Sequence, residues 1–291
     1  MVFQGSAPAL VTPFRDGKID FDSLERLVDF QLDGGSDAIA VCGTTGEPST
    51  MTLKEEVEVA KAVSQQVNGR IPIIAGIGGN ATQEVLDATE LMSETGVDAL
   101  LGVTPYYNKT TQGGLVAHYT AVANATDLPV ILYNVPARTG LNMLPATIAE
   151  LAEVPNIVAV KEACGNITQI MELFRLCLGK IQIFSGNDDH VFPLVAMGGD
   201  GVISVVANAM PRYMHDMVAT TMTGDLGTGR KMQLDMLPLV DLLFCEVSPI
   251  PIKAALSRMG MLDNELRLPL VPMTDENEAK LFTEMERIGL V

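Results

Sequence analysis

Asn156-Ile157-Val158-Ala159-Val160-Lys161, near the middle of a chain of 291 residues, is a short apolar run that ends in one charged side chain. Its apolar residues are consecutive rather than alternate, which indicates a strand buried on both faces, as in a parallel sheet. Similar runs lie on either side along the chain, at 129–134 and 181–185. The segments between these runs have the apolar spacing of amphipathic helices, so the pattern favours an α/β fold.

Working outward from this run, the sequence predicts eight strands, each followed by a helix. The predicted strands lie at 7–12, 37–42, 71–75, 98–103, 129–134, 157–161, 181–185 and 201–205. The predicted helices lie at 20–34, 53–67, 82–95, 112–125, 145–152, 167–177, 188–197 and 208–222. Such alternation requires parallel pairing through right-handed crossovers, and eight units suit a closed (β/α)8 TIM barrel.

The strand pattern stops after residue 224, and three further helices are predicted at 225–244, 249–259 and 275–288. We therefore expect a barrel catalytic domain over residues 1–224 and a small C-terminal helical domain over 225–291. A dinucleotide-binding fold is disfavoured, because the stretch 12–17 after the first strand lacks the GxGxxG pattern. The stretch 76–80 also lacks the third glycine of that pattern.

The composition excludes several classes of function. Lysine and arginine total 19 against 36 aspartate and glutamate residues, a net charge of −17, which repels nucleic acid and anionic lipid. No apolar run approaches the roughly 18 residues of a membrane span, and the N-terminus lacks the charge pattern of a secretory signal. The four cysteines lack CxxC spacing, which argues against a disulfide framework or a zinc site. These features predict a cytoplasmic protein, and we expect neither a metal nor a cofactor.

Chemically distinctive residues follow several predicted strands, where the active sites of such barrels lie. These segments are Gly43–Glu47, Pro105–Tyr107, Tyr133–Gly140, Lys161–Glu162 and Ser185–Asp188. The histidines, by contrast, show no metal-ligand spacing, and Asp188 and Asp189 are best interpreted as helix-capping residues. We therefore place the candidate site on the loops that follow the strands.

Lys161 is the strongest single indication of chemistry. A lysine at the end of a barrel strand either extends its amine to solvent, forms an ion pair, or acts as an amine nucleophile. A nucleophile must be uncharged, and burial disfavours the charged form. Glu162 could oppose this effect, but strand alternation directs it to the opposite side of the sheet.

Hydroxyl groups near Lys161 could move protons for it. Tyr133 ends the neighbouring strand, and Thr44 could connect its phenol to Tyr107, forming a relay for imine formation. Each tyrosine could instead be a core or rim aromatic, and Thr44 an ordinary turn residue. The Gly43–Gly46 loop could hold a carboxylate through backbone amides, and Arg138 could bind a second one, although a tight turn and a solvated arginine are the alternatives.

Three segments taken together carry a family resemblance. GTTGE at 43–47, YNVPARTG at 133–140 and VKEACGNI at 160–167 resemble, in order and spacing, the signature regions of the dihydrodipicolinate synthase and N-acetylneuraminate lyase superfamily. The resemblance covers nearly the whole chain and implies that Lys161 forms a Schiff base with pyruvate. Within the superfamily, Thr44-Thr45, Tyr106-Tyr107 and Arg138 are similar to the synthases rather than to the sialic-acid lyases.

The resemblance also implies a reaction and a role for each site residue. The reaction is condensation of pyruvate with L-aspartate-4-semialdehyde to 4-hydroxy-tetrahydrodipicolinate, on the route to diaminopimelate and lysine. Tyr133, Thr44 and Tyr107 would relay protons, with Tyr107 entering the site of an adjacent subunit in a tetramer built from dimers. The implied substrate-binding residues are Thr45 for the pyruvate carboxylate, Arg138 for that of the semialdehyde, and Gly186 and Ile203 for the pyruvate pocket.

Regulation by lysine is the point on which the resemblance is incomplete. Asn80, Glu84 and Tyr106 match the allosteric lysine site of inhibited relatives, whereas Leu53 and Glu56 stand where those relatives have histidines. We therefore expect weak inhibition or none. Two alternatives to the synthase remain: a pyruvate-dependent aldolase acting on a sugar acid, which Arg138 disfavours, and a non-catalytic barrel, which the joint presence of lysine, tyrosine and threonine disfavours.

Overall fold

The computed structural model describes residues 1–291 and is centred on one sheet of eight parallel strands. The strands are β1 (Gly5–Pro8), β2 (Ile39–Val41), β3 (Ile73–Gly76), β4 (Ala99–Val103), β5 (Val130–Asn134), β6 (Ile157–Glu162), β7 (Gln182–Ser185) and β8 (Gly201–Ser204). Around the sheet their order is β1, β8, β7, β6, β5, β4, β3, β2. A parallel bridge between Ala9 and Ala40 joins the two ends of this sheet. The predicted (β/α)8 barrel is therefore confirmed.

A helix follows each strand and lies on the outside of the barrel. The helices are α1 (Phe21–Asp33), α2 (Leu53–Val67), α3 (Thr82–Ser93), α4 (Gln112–Asn124), α5 (Pro145–Leu151), α6 (Ile167–Cys177), α7 (Val191–Ala196) and α8 (Pro211–Met222). The start of α2 is fixed by a capping box, in which Thr52 and Glu55 bond to each other's backbone amides. None of the helices combines the length and apolar character needed to cross a bilayer.

Local details differ from the sequence prediction where turns or prolines intervene. The helix predicted from 188 is a 3-10 turn over Asp188–His190 before α7, and the one predicted from 208 begins at Pro211 after a 3-10 turn over Val206–Asn208. A proline lacks the amide that a helix interior needs, so Pro211 starts the helix. A hairpin of Phe14–Arg15 with Lys18–Ile19 was not predicted.

The interior of the barrel is filled by a small, separate core. Seven of its fifteen buried side chains are alanine, which leaves room at the axis for larger residues such as Tyr133 and Phe184. Phe3, just before β1, stacks on Phe184 with ring centroids 4.3 Å apart. Large rings therefore fill part of the barrel axis, and the groups that can react are expected at the carboxyl ends of the strands.

Three helices continue the chain beyond α8: α9 (Leu226–Leu243), α10 (Ile250–Arg258) and α11 (Asp275–Arg287). α9 packs on α7 and α8, and its buried Met236 and Leu243 belong to the same hydrophobic core as Met214 of α8. The helical extension is thus joined directly to the outer layer of the barrel. Its designation as a domain of its own, beginning at residue 225, remains a prediction.

Candidate active site

A cavity of about 520 Å³ opens at the carboxyl ends of the strands. Thr44, Tyr133 and Arg138, three of the residues singled out in the sequence, line its wall. The lining comes from the loops that follow β2, β3, β4 and β5, together with the faces of α2 and α3 that look towards them. The barrel therefore brings candidate proton-transfer and carboxylate-binding groups to one opening.

Lys161 lies directly beside Tyr133. The two residues are register partners on the neighbouring strands β5 and β6, and the lysine Nζ lies 4.3 Å from the centroid of the tyrosine ring. Each residue is only 6% exposed. The barrel therefore encloses the amine. This excludes the first of the three alternatives given above, in which the lysine extends its amine to solvent.

Gly186 allows the lysine to take this position. A Cβ atom at Gly186 would lie 3.1 Å from both Cγ and Cε of Lys161 and 2.8 Å from the Cβ of Ala163. The contact with Ala163 is shorter than real Cβ atoms make, and those with Lys161 are tighter than most, so the backbone after β7 packs closely against the lysine stem. Ile203, buried in the barrel interior with Tyr133, adds an apolar side chain to the same region.

Glu162 is turned away from the lysine. Both of its carboxylate oxygens accept hydrogen bonds from Asn134 Nδ2 at 3.1 Å, and the Cys164 amide donates to one of them at 2.7 Å. Burial raises the pKa of Glu162, and these hydrogen bonds oppose that rise. The expected alternation is confirmed, and the adjacent carboxylate is engaged elsewhere.

The turn after β2 is tighter and less exposed than the sequence indicated. Thr44–Gly46 form a 3-10 turn in which the Gly46 amide bonds to the Gly43 carbonyl, and the Thr12 hydroxyl donates to the Gly46 carbonyl at 2.7 Å. Thr45 is buried, whereas Thr44 lines the cavity. The two threonines therefore face different surroundings.

Arg138 lies on a four-residue helix, Pro136–Thr139, that the sequence did not predict. One guanidinium nitrogen donates to the Ser248 carbonyl at 3.1 Å, and the side chain borders the cavity. A single neutral acceptor leaves the other donors of the fork available for a carboxylate.

Tyr107 is the one candidate relay residue that its own chain does not bring to the cavity. It is 89% exposed, and its backbone has φ +67°, in the left-handed region that is strained for a residue with a side chain. Tyr106, by contrast, lines the cavity. Of the three candidate relay residues, one chain therefore brings only Tyr133 and Thr44 to the cavity.

Comparison of the sequence with models of known protein families agrees with this fold and site. The model of the dihydrodipicolinate synthetase family matches residues 2–288. The chain belongs to the dihydrodipicolinate synthetase family. It is accordingly an enzyme, which excludes the non-catalytic barrel.

Individual relatives of this family are similar over their whole length. The chain is 49% identical over 290 residues to 4-hydroxy-tetrahydrodipicolinate synthase of Alkaliphilus oremlandii, with full coverage of both chains. The chloride-inhibited dihydrodipicolinate synthase from Acinetobacter baumannii, solved with pyruvate, is 42% identical with a TM-score of 0.98, again with full coverage of both. The enzyme from Cyanidioschyzon merolae with lysine bound is 40% identical, with a TM-score of 0.97 over 100% of this chain and 99% of that one.

In this member of the dihydrodipicolinate synthetase family, the buried carboxylate of Asp188 has a role that differs from the one predicted. Asp188 accepts hydrogen bonds from the Ser204 hydroxyl at 2.5 Å and from the amides of Val205 and Val206 at 3.0 and 3.2 Å. Burial raises the pKa of Asp188, and these bonds and the nearby charge of Lys161 oppose the rise. It therefore fixes the loop after β8, and the prediction that it caps its own helix is wrong.

The cavity also reaches residues of the predicted allosteric lysine site. Glu84 and Tyr106 line it, together with Leu53 and Glu56. Asn80 lies beside it, where its carbonyl accepts a hydrogen bond from Asn108 Nδ2 at 2.8 Å. The cavity wall thus carries the carboxylates of Glu56, Glu84 and Asp87 and the phenol of Tyr106, and it contains no histidine.

Glu56 makes the stability of the protein depend on pH. Burial, with a smaller contribution from Glu55, raises the pKa of Glu56 from 4.5 to about 8. Between those values the folded state holds a proton that the unfolded state releases, so stability falls as pH rises. Glu56→Gln removes this loss, and we expect it to raise Tm at pH 8 and to change it little at pH 4.5.

Thermal unfolding of Glu56→Gln and the parent protein across this pH range measures the effect. Glu58→Gln, on the exposed side of the same helix, is the matched control and should change neither Tm nor its pH dependence. An equal Tm difference between Glu56→Gln and the parent at both ends of the range contradicts the assignment.

Proposed function

We propose that this enzyme condenses pyruvate with L-aspartate-4-semialdehyde to form 4-hydroxy-tetrahydrodipicolinate, the first committed step towards diaminopimelate and lysine. The observation that carries the proposal is the amine of Lys161, enclosed at the end of β6 and 4.3 Å from the ring centroid of Tyr133. The names of relatives at about half identity support the same reaction and do not favour the sugar-acid aldolase.

Lys161 supplies the covalent step. Its neutral amine adds to the keto carbon of pyruvate, the carbinolamine loses water, and an imine joins protein and substrate. Loss of a proton from the pyruvate methyl group then gives an enamine, which attacks the aldehyde carbon of the second substrate. The amino group of that substrate finally displaces Lys161 and closes the ring, so the lysine is regenerated.

Hydroxyl groups move the protons that these steps require. The phenol of Tyr133 shuttles a proton between the amine and the departing water, and Thr44, on the same cavity wall, continues the relay. Tyr107, which its own chain leaves exposed, completes the relay in the site of a second copy of the chain. This role explains why a strained, solvent-facing tyrosine stands beside an active site.

The carboxylates of the two substrates are held separately. Thr45, in the turn after β2, binds the pyruvate carboxylate through its hydroxyl and amide, and Gly186 and Ile203 form the floor of the pyruvate pocket. Arg138, at the cavity rim, binds the carboxylate of the semialdehyde. A local positive charge of this kind is necessary in a protein whose net charge is −17.

Arg138→Ala tests the division between the two substrates. Loss of the charge-assisted hydrogen bonds between the guanidinium and the substrate carboxylate should raise KM for the semialdehyde roughly 10- to 100-fold. Borohydride trapping of pyruvate should remain close to that of the parent enzyme. Arg230→Ala, at an exposed position of α9, is the control and should change neither quantity. Equal damage to trapping and to semialdehyde use would remove the assigned role.

The reaction itself is tested by supplying both substrates in an assay coupled to the downstream reductase. Turnover with aspartate semialdehyde supports the synthase, and turnover only with a sugar acid refutes it. The same assay with added lysine tests regulation, which we propose to be weak or absent because Leu53 and Glu56 line the cavity where inhibited relatives are expected to have histidines.

We further propose a cytoplasmic homotetramer, a dimer of dimers in which exchange of Tyr107 makes the dimer the minimum working unit. Sedimentation of the purified protein tests the assembly. A fully active monomer would refute the role given to Tyr107.

A further inference from the structure

A buried ion pair ties the turn after β2 to the C-terminal extension. Lys253 Nζ on α10 donates to Glu47 Oε1 at 2.6 Å, and neither side chain has any solvent exposure. Glu47 follows Thr44, Thr45 and Gly46 directly in the chain. Glu47 and Lys253 are 206 positions apart in the chain. Their ion pair therefore links the extension to the residue directly after the turn that carries both threonines.

Further contacts surround this pair. The other oxygen of Glu47 accepts from the Arg267 backbone amide at 3.4 Å, and the guanidinium of Arg267 donates to the Thr50 carbonyl at 2.9 Å and to Glu55 at 2.6 Å. Lys253 Nζ and Arg267 Cζ each lie 4.3 Å from the ring centroid of Phe14. The turn is thus held from two places in the extension, α10 and the segment that follows it.

The backbone of Glu47 shows why the turn needs to be held. Its φ of +57° is in the left-handed region, although it is not glycine, and it ends one 3-10 turn and begins the next. Such a conformation persists only where surrounding contacts enforce it. Its amide bonds to the Thr44 carbonyl at 3.2 Å, so rotation at Glu47 would move Thr44 as well.

Stability alone is a weak explanation for this pair. Removing two charges from water is costly, and apolar residues of similar volume often stabilise a protein equally well or better. Burial lowers the pKa of Lys253, and the carboxylate of Glu47 opposes that fall. What an ion pair provides beyond apolar packing is a fixed direction and distance, which a catalytic turn requires.

We propose that Glu47 and Lys253 are positioning residues of the reaction: their ion pair fixes the turn so that Thr45 can receive the pyruvate carboxylate and Thr44 can reach the proton relay. The inference rests on the proposed function. It also makes the C-terminal extension a working part of the active site.

The test is the double variant Glu47→Gln/Lys253→Met, which removes both charges while keeping side-chain volume. Misplacement of the turn should raise KM for pyruvate and lower kcat, each by about 10- to 100-fold. Hydrogen exchange of the amides of residues 43–47 should become faster. A second variant, Glu47→Asp, keeps both charges but shortens the reach of the carboxylate. It should change the same quantities in the same direction by a smaller factor, and it serves alone if the double variant does not fold.

Leu243→Ala is the matched control for a purely structural role. This fully buried residue of α9 belongs to the same extension, and its truncation should lower Tm by roughly 5–10 °C. KM for pyruvate and exchange at 43–47 should stay as in the parent.

Faster exchange together with altered KM in the two ion-pair variants, and not in Leu243→Ala, supports positioning. Unchanged exchange or unchanged KM in a folded ion-pair variant overturns it. Failure of the parent enzyme to trap pyruvate at Lys161 would refute the proposed function instead, and the exchange data would still show whether the pair holds the turn.

Discussion

Lys161→Met should lower turnover by about 10,000-fold or more, because no other group in the site can form the covalent adduct. Methionine keeps an unbranched stem to pack on Gly186, so the barrel should fold as before. The measurement is twofold: steady-state turnover in the coupled assay, and peptide mapping after treatment with pyruvate and borohydride. The mass increment of reduced pyruvate should lie on the peptide containing Lys161 in the parent enzyme and be missing from the variant.

Lys180→Met is the appropriate comparison for this experiment. That lysine is exposed and pairs only with Glu153 at the surface, at 3.1 Å. Its loss should affect neither turnover nor trapping, because exposed pairs contribute at most about 1 kcal/mol to stability. An adduct on any other peptide, or an undiminished adduct in Lys161→Met, would contradict the covalent assignment.

Tyr133→Phe should lower kcat about 100- to 1,000-fold, the range expected when a positioned proton donor is removed. Phenylalanine retains the ring that covers the lysine amine, so the decrease in kcat reports the contribution of the hydroxyl alone. Trapping of pyruvate should still occur but more slowly, since dehydration of the carbinolamine also needs a proton. Rapid-quench trapping with borohydride, compared with kcat in the coupled assay, measures both effects.

Tyr213→Phe is the matched control, because it removes a hydroxyl that has a structural partner outside the cavity. The Tyr213 hydroxyl donates to the Met232 carbonyl at 2.7 Å, and its loss should lower stability by about 1–3 kcal/mol without changing kcat. A Tyr133→Phe enzyme that turns over like the parent would show that another group moves the protons.

The barrel could be predicted from the sequence because several buried strands are continuous apolar runs and the helices between them show amphipathic spacing. The first strand, predicted at 7–12, is Gly5–Pro8, which has no such run. Local features of two to four residues could not be predicted. The strands of the hairpin at Phe14–Arg15 and Lys18–Ile19 are too short to show alternation, and the helix Pro136–Thr139 is a single turn. Such elements form because the surrounding structure holds them, which local sequence does not encode.

The part of the candidate site that lies on strands could be predicted from the sequence. Lys161 and Tyr133 end adjacent strands, so their contact follows from the topology. Asp188 was misinterpreted because its hydrogen-bond donors lie sixteen and more residues further along, in another loop. The ion pair of Lys253 was missed, although one signal was present: Ile250–Leu256 is apolar on all sides of its helix except for that lysine, and a helix of this kind is buried.

The stacked rings of Phe3 and Phe184 lie next to the lysine, because Phe184 is the register partner of Lys161 on the neighbouring strand. On the proposed chemistry, the captured keto acid therefore has an apolar ring as its neighbour. The aldehyde must react second, because the enamine that attacks it exists only after the imine has formed.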